Sequence, residues 1–492
     1  MPSFGRLATS YPSVVALVLL ALTPFLILTT SLAPLEPVIA DDLGTSVRSI
    51  GVATAMANAA YAFGSVLSVQ LVTRLPPRRM LVLFAALFVL ASALAAWSPA
   101  PWAFFVGHIA QGMLTGLLLI AAVPPLVLAF PPTKLPSTAV VLNLGIFGAV
   151  ALGPFIGGVF ADSENWRLLF WIAAGVGAGA FLFTLLTYVE RPPQDPNIRV
   201  DIAALFLAAA GPGAIFFGVS QLPGRRLADP MVLVPLIVGL VLLITLLVEQ
   251  YEARDPLVPV REFMHTVPIA GIVSAMSAGA SAVALIVLVQ EVLPKLTDDP
   301  LHTGVLLLPL FGTALLSSVL FGVLLLTRYL VLMPLGGLIL LAAGGAILTG
   351  AADGGDGYVL AASALIGFGV GSSVAPALFM AGFSLRSPIL PRVFSLLELL
   401  RAVGAFLVAP ALAQVAVVSG SSLQDGFRLA AWIAAGVAVL GVIGAGAIIA
   451  LGGRLPGIPD AQRWMAGEGT ALESPSLFAV LRRRVREVAH EE

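Results

Sequence analysis

The sequence predicts an all-α polytopic membrane protein of fourteen transmembrane helices, and three observations predict it. Hydrophobic residues make up 59% of the 492 and charged residues only 10%. Apolar runs long enough to cross a bilayer, about 20 residues each, recur from end to end. The basic residues between those runs sort by side. A soluble domain carries roughly 25% charged residues, so this chain cannot clothe a water-facing surface; its main solvent is lipid.

Composition also excludes several chemistries. A net charge of −1 gives no bulk attraction to nucleic acid. There is no Cys, and the four His (His108, His265, His302, His490) lack metal-ligand spacing. No P-loop pattern is present, so ATP is not expected to drive the protein directly. No activated nucleophile or His/Asp/Glu constellation supports an intramembrane enzyme. Neither cofactor nor metal is expected.

The apolar runs place spans at 13–35, 47–72, 79–98, 102–130, 138–161 and 167–189, then at 202–222, 230–250, 266–290, 302–327, 329–350, 357–384, 389–418 and 427–452. The first is too long for a signal h-region of about 7–15 residues, so it is expected to stay. The polar stretch Glu190–Asp201 separates the sixth span from the seventh. Arg6, Arg74, Arg78, Arg79, Lys134, Arg191, Arg199, Arg254, Arg261, Arg328, Arg386, Arg392 and the tail arginines fall on one face. Arg48, Arg167, Arg225, Arg226, Lys295 and Arg428 fall on the other. The richer face is the one bearing both termini, which predicts cytoplasmic ends. Lys occurs only at Lys134 and Lys295, which reads as GC-rich bacterial coding bias and points to a bacterial inner membrane. The tail Ser474–Glu492 reads either as an amphipathic helix, opened by Ser474-Pro475 with arginines toward anionic lipid, or as a solvated tail.

An internal repeat organises the spans. Gly112 and Gly116 match Gly367 and Gly371; Gly148 to Pro154 matches Gly404 to Pro410; Arg167-Leu-Leu-Phe-Trp171 matches Arg428-Leu-Ala-Ala-Trp432. The offsets are 255, 256 and 261 residues, in the same order. The expected domains are therefore 1–189, an N-terminal six-helix half; 190–265, a linker with two inserted helices; 266–453, a C-terminal six-helix half; and 454–492, the tail. Such six-helix repeats around a midplane site are a transporter architecture.

In the fifth span, Gly145, Ala149, Gly153 and Gly157 form a small-residue stripe spaced by four, where a second backbone can approach. Pro154 frees a carbonyl and bends the helix. The stripe is either ordinary packing or a bendable contact between halves. The run Gly145-Ile-Phe-Gly148-Ala-Val-Ala-Leu-Gly153-Pro154-Phe-Ile-Gly157-Gly158, followed by Asn165-Trp166-Arg167, resembles the antiporter motif of the major facilitator superfamily, in its fourteen-span drug:proton antiporter branch (QacA/EmrB-like). Looser similarities are Pro37-x-Ile39-x-x-Asp42, Gly304-x-x-x-x-Pro309, Gly367-Phe-Gly369-Val-Gly371 and Arg401-Ala-Val-Gly404. The resemblance implies the major facilitator fold and proton-coupled efflux of lipophilic or cationic small molecules by alternating access. Its implied partners are that substrate, protons and membrane lipids, not nucleic acid, with the chain acting as a monomer.

Three positions depart from the family's pattern. The loop after the second span keeps Arg74, Arg78 and Arg79 but has Val69 and Thr73 where Gly and Asp are usual. His108-Ile-Ala-Gln111-Gly112 replaces Arg-x-x-Gln-Gly, and Leu28 stands where the drug pumps carry a first-span acid. These departures keep an uncoupled facilitator, uptake carrier or lipid transporter open on the same fold. Ionisable groups inside a membrane are functional candidates by default. Glu36 and His108 are the proton-coupling candidates, against a structural His108 and an interfacial Glu36. Gln111, Asn58, Asn143, Glu398 and Arg401 are cavity candidates, with Glu398 and Arg401 either paired with each other, one turn apart, or in contact with substrate.

Overall fold

The computed structural model describes residues 10–188, 192, 195, 199–293, 300–453 and 455–482. Among these described residues are fourteen helices long and apolar enough to cross a membrane. Spans 1 to 6 are Tyr11–Ser31, Val47–Arg74, Pro77–Trp97, Pro101–Leu128, Pro132–Asp162 and Trp166–Leu186. Spans 7 and 8 are Ile202–Ser220 and Pro230–Glu252. Spans 9 to 14 are Thr266–Val292, Pro300–Leu324, Arg328–Asp353, Asp356–Phe383, Ser387–Val418 and Leu423–Leu451. Span 1 ends earlier than its apolar run suggests, because Pro34 and Pro37 lack the N–H that an α-helix needs; a short helix, Glu36–Asp42, leads into span 2. Lys295, most of the 190–201 linker and the tail beyond residue 482 lie outside the described residues.

The same neighbour pattern occurs twice. Span 1 packs on spans 5 and 6, span 2 on span 4, and span 3 on spans 4 and 6. Span 9 packs on spans 13 and 14, span 10 on span 12, and span 11 on spans 12 and 14. The repeated glycines explain why. A Cβ on Gly112 or Gly116 would strike the Ala57 or Tyr61 carbonyl of span 2, and one on Gly367 would strike the Leu310 carbonyl of span 10. Both crossings are backbone-close, which only glycine permits. The two halves meet where span 2 touches span 13 and span 5 touches span 10.

Span 7 lies against both span 2 and span 13, so the inserted pair sits on the seam between halves. Phe216 meets Phe406 edge to face at 5.9 Å. At the face opposite the chain termini (the far face), Arg48 donates to the Pro223 carbonyl at 2.8 Å, and Gln414 donates to that of Arg225 at 3.3 Å. Span 8 is the least buried of all and shows its apolar side outward.

The tail is fastened to the terminal face rather than lying free. Trp464 is buried against Phe383, with ring centroids 4.9 Å apart, and its indole N–H donates to the Leu385 carbonyl at 2.8 Å. Ser474 opens no helix of its own: its hydroxyl accepts the Val267 N–H at 2.9 Å, satisfying a donor at the start of span 9. Residues 477–482 are helical, and their continuation lies outside the described residues.

Candidate functional site

Span 5 positions the centre of the molecule. Its α-helix runs to Asn143, passes through a π-turn at Leu144–Gly148, and resumes at Ala149–Asp162. Pro154 has no N–H to offer the Val150 carbonyl one turn before it. The Thr30 hydroxyl of span 1 donates to that carbonyl instead, at 2.7 Å. The glycine stripe also faces span 1: Cβ atoms on Gly153 and Gly157 would strike Thr30 with the Ile27 carbonyl, and the backbone of Ser31, while one on Gly145 would strike Leu19. The stripe thus serves packing inside its own half. The contact between halves is made by the adjacent Gly158, which faces Pro300 and Gly304 of span 10, 2.8 Å from the Pro300 carbonyl at its Cβ position.

Between the halves, at the far-face ends of spans 1, 2, 7, 9 and 13, lies a cavity of about 320 Å³. Glu36, Thr54 and Asn58 line it from one half, Gln290 and Glu291 from the other, and Phe216 and Val219 from the inserted span 7. No basic side chain is among its described lining residues. Gly51 makes room for the Glu36 carboxylate, which lies 3.3 Å from where a Cβ would sit. Glu36 belongs to the short helix between spans 1 and 2. Its withdrawal from water, and then the Glu291 carboxylate facing it, push its carboxyl up to about 8, while the Thr54 hydroxyl pulls the other way.

Below the cavity, near the middle of the bundle, Glu398 accepts from Arg401 Nη2 at 2.6 Å and Nε at 3.2 Å. It also accepts the Tyr61 hydroxyl of span 2 at 3.0 Å, which ties the halves together. The Arg401 guanidinium lies 5.9 Å from the Phe147 ring of the π-turn. Asn143 makes a second tie, donating to the Gly371 carbonyl of span 12 at 2.8 Å. Glu398 and Arg401 therefore pair with each other, and neither they nor Asn143 line the cavity. A separate polar pocket of about 370 Å³ lies on the terminal face, with charges of both signs in Arg199, Arg392, Asp201 and Asp255.

His108 is buried elsewhere, inside the N-terminal half. Phe25, Phe104 and Phe170 surround its ring at centroid distances of 5.6–5.9 Å. Its Nδ1 lies 3.1 Å from Gln111 Oε1, and Gln111 donates to Ser92 at 2.8 Å. The structure does not bring His108 and Glu36 together, and Gln111 is core rather than cavity, because span 4 is turned into spans 2 and 3 over most of its surface. Arg78 donates to the Leu185 carbonyl at the end of span 6, at 2.8 Å; Arg79 is exposed, and the described residues give Arg74 no ion-pair partner. On the far face Asp42 joins two motifs read separately in the sequence, accepting from Trp166 Nε1 at 3.0 Å and pairing with Arg167 at 2.8 Å. The matching Arg428 pairs with Asp353.

Sequence reading missed Tyr61 and Glu291. The former is one aromatic among many apolar residues. The latter falls one residue past the ninth apolar run, and only the π-turn at Leu288–Val292 carries the helix through it.

Residues 18–409 match the family model described as Major Facilitator Superfamily. Among curated relatives, the Lincomycin resistance protein LmrB of Bacillus subtilis (strain 168) is 29% identical over 187 residues, 38% of this chain and 39% of that protein. The Multidrug resistance protein B homolog of Mycobacterium tuberculosis (strain ATCC 25618 / H37Rv) is 26% identical over 310 residues, 62% and 57% of the two chains. The Tetracenomycin C resistance and export protein of Streptomyces glaucescens is 25% identical over 296 residues, 60% and 55%. The matched region thus spans well under two thirds of each relative's length. Among solved structures, a POT family transporter in complex with 5-aminolevulinic acid superposes with a TM-score of 0.65 at 14% identity, covering 89% of this chain and 96% of that one. The human organic anion transporter MFSD10 gives 0.62 at 15% identity, covering 89% and 99%. At such identities these two likenesses speak for the fold alone.

Proposed function

The chain belongs to the major facilitator superfamily, and from that premise we propose that it is a proton-coupled efflux carrier for lipophilic or cationic small molecules. The observation that carries this reading is the cavity between the halves, apolar over much of its wall, with a carboxylate from each half facing it and no described basic group. A monovalent cation and a proton each cancel one negative charge at the Glu36–Glu291 pair, so the two compete for one site. Competition of that kind is what an exchanger needs: loading one ligand expels the other. The resistance and export proteins among the relatives support the same direction of transport.

On this reading residues 1–189 and 266–453 are the two rocking halves. The central ties at Tyr61–Glu398 and Asn143–Gly371 part when the cavity opens to the terminal side. The termini are cytoplasmic, the cavity is on the outer side of a bacterial inner membrane, and one chain suffices. Glu36 is the proton site, and His108 is a structural residue of the N-terminal half. A second reading, an uncoupled facilitator, uptake carrier or lipid transporter, is favoured by Leu28, which is fully buried where the branch keeps an acid, and by the altered loop at Val69 and Thr73.

The test is transport by the purified full chain in proteoliposomes, with an imposed pH gradient and a panel of lipophilic cationic dyes. Dye movement that follows the gradient and is lost in Glu36→Gln is the expected result. Dye movement indifferent to the gradient replaces this reading with the facilitator.

A further inference from the structure

The polar groups around the cavity are not evenly divided between donors and acceptors. The Thr29 hydroxyl donates to the Leu26 carbonyl at 2.6 Å, Thr30 to Val150 at 2.7 Å, and Ser220 to Phe217 at 2.7 Å. Thr54 divides its proton between the Ile50 carbonyl at 3.1 Å and the neighbouring Glu36. These hydroxyls therefore turn lone pairs, not protons, toward a ligand.

The two buried amides are oriented by the same accounting. Asn58 Nδ2 donates to the Thr54 carbonyl at 3.1 Å, and Gln290 Nε2 to the Thr30 carbonyl at 2.7 Å. A carbonyl partner requires the nitrogen end, so neither amide can be flipped. Asn58 is 4% exposed and Gln290 6%, yet Asn58 Oδ1 and Gln290 Oε1 have no hydrogen-bond partner. A buried acceptor without a partner has given up its hydration for nothing in return, and the two stand on opposite halves, one turn from Glu36's neighbour Thr54 and next to Glu291 respectively. The cavity thus holds two carboxylates and two unfilled amide oxygens, and Phe216, Phe406 and Val287 supply an apolar wall.

We propose that this cavity binds a protonated amine which keeps its N–H donors, an ammonium group on an apolar or aromatic body, and selects it over a fully alkylated cation of like shape. A quaternary ammonium satisfies the carboxylates by charge alone and leaves both amide oxygens unfilled. A primary ammonium brings three N–H groups and bridges acceptors of the two halves at once. The inference rests on the transport reading above for the cavity's role, but concerns binding and not coupling. Sites built to hydrogen-bond a ligand reject the analogue lacking that group far more strongly than an apolar pocket rejects a methylene.

The experiment measures binding by calorimetry to the purified full chain in lipid nanodiscs, with no gradient, above about pH 8 where Glu36 is ionised. The probes are 4-phenylbutylamine, its N,N,N-trimethyl analogue and the neutral 4-phenylbutanol. The amine is expected to bind at least about tenfold more tightly than either. In Asn58→Leu the preference over the trimethyl analogue narrows, whereas Glu36→Gln weakens both cations and leaves the preference in place. Equal or tighter binding of the trimethyl analogue overturns the proposal, as does equal binding of the alcohol or binding of none. Should Asn58→Leu fail to fold, the three probes on the unaltered chain still decide. Selective amine binding without gradient-driven transport would retire the coupling reading and leave this one standing.

Discussion

Two carboxylates stand at the seam between the halves, and their surroundings are opposite. Glu398 is enclosed, with Arg401 on one side and the Tyr61 hydroxyl on the other. Glu36 faces a second carboxylate across a cavity and meets no described basic side chain there. The first arrangement is complete by itself, as a structural tie must be. The second leaves the Glu36 carboxyl in a cavity wall, where a ligand can reach it. Charge inside a membrane is therefore not one signal: its partner decides whether it holds the protein or serves the ligand.

That contrast can be broken at several points. The largest effect is expected from Glu398→Ala, which strands the Arg401 guanidinium in the bundle. Breaking a buried pair in this way costs about 3–5 kcal/mol, and a large fall in the unfolding temperature in detergent would show it. Replacing both residues, as in Glu398→Leu with Arg401→Met, should recover much of the loss.

Glu36→Gln should instead leave the unfolding temperature nearly unchanged and lower amine affinity about tenfold, a difference of about 1.4 kcal/mol. The pH dependence has a definite sign. With its carboxyl raised to about 8, Glu36 is neutral below that value and charged above it. Affinity for a cation should rise as pH climbs through about 8, with the Glu291 carboxylate beside Glu36 and Arg48 donating to the carbonyl of Pro223 in the cavity wall. A flat binding profile in the unaltered chain would remove Glu36 from the site.

Thr30→Val should cost about 1 kcal/mol, because it strips the Val150 carbonyl of the donor that stands in for Pro154's missing N–H. Thermal unfolding would register that loss. The smallest effect is expected from His108→Gln. It should cost some stability in the N-terminal half and leave the pH dependence of transport where it was. A displaced pH profile would return His108 to the coupling machinery.

Much of the fold was legible because membrane insertion acts on local composition. A run of apolar residues must form a helix to satisfy its own backbone, so the fourteen spans could be counted without knowing how they pack. The repeat was legible for a related reason. Gly112, Gly116 and Gly367 sit at backbone-close crossings where any Cβ would collide, and such positions leave a mark in sequence. The candidate site was legible only in part. Glu36 and Asn58 do line the cavity, while Gln111, Asn143, Glu398 and Arg401 do not. A polar residue in a span announces that it needs a partner, but which partner depends on the rotation of its helix about its own axis.

The sequence by itself determined that this chain is a bundle of fourteen membrane helices with an internal repeat, since hydropathy and charge asymmetry are properties of single segments. Only the tertiary structure decided that His108 belongs to an aromatic nest, that the glycine stripe serves span 1, and that Glu36 faces Glu291. Each of those outcomes depends on which faces of distant helices meet, and a rotation of less than half a turn would exchange a tie for a site.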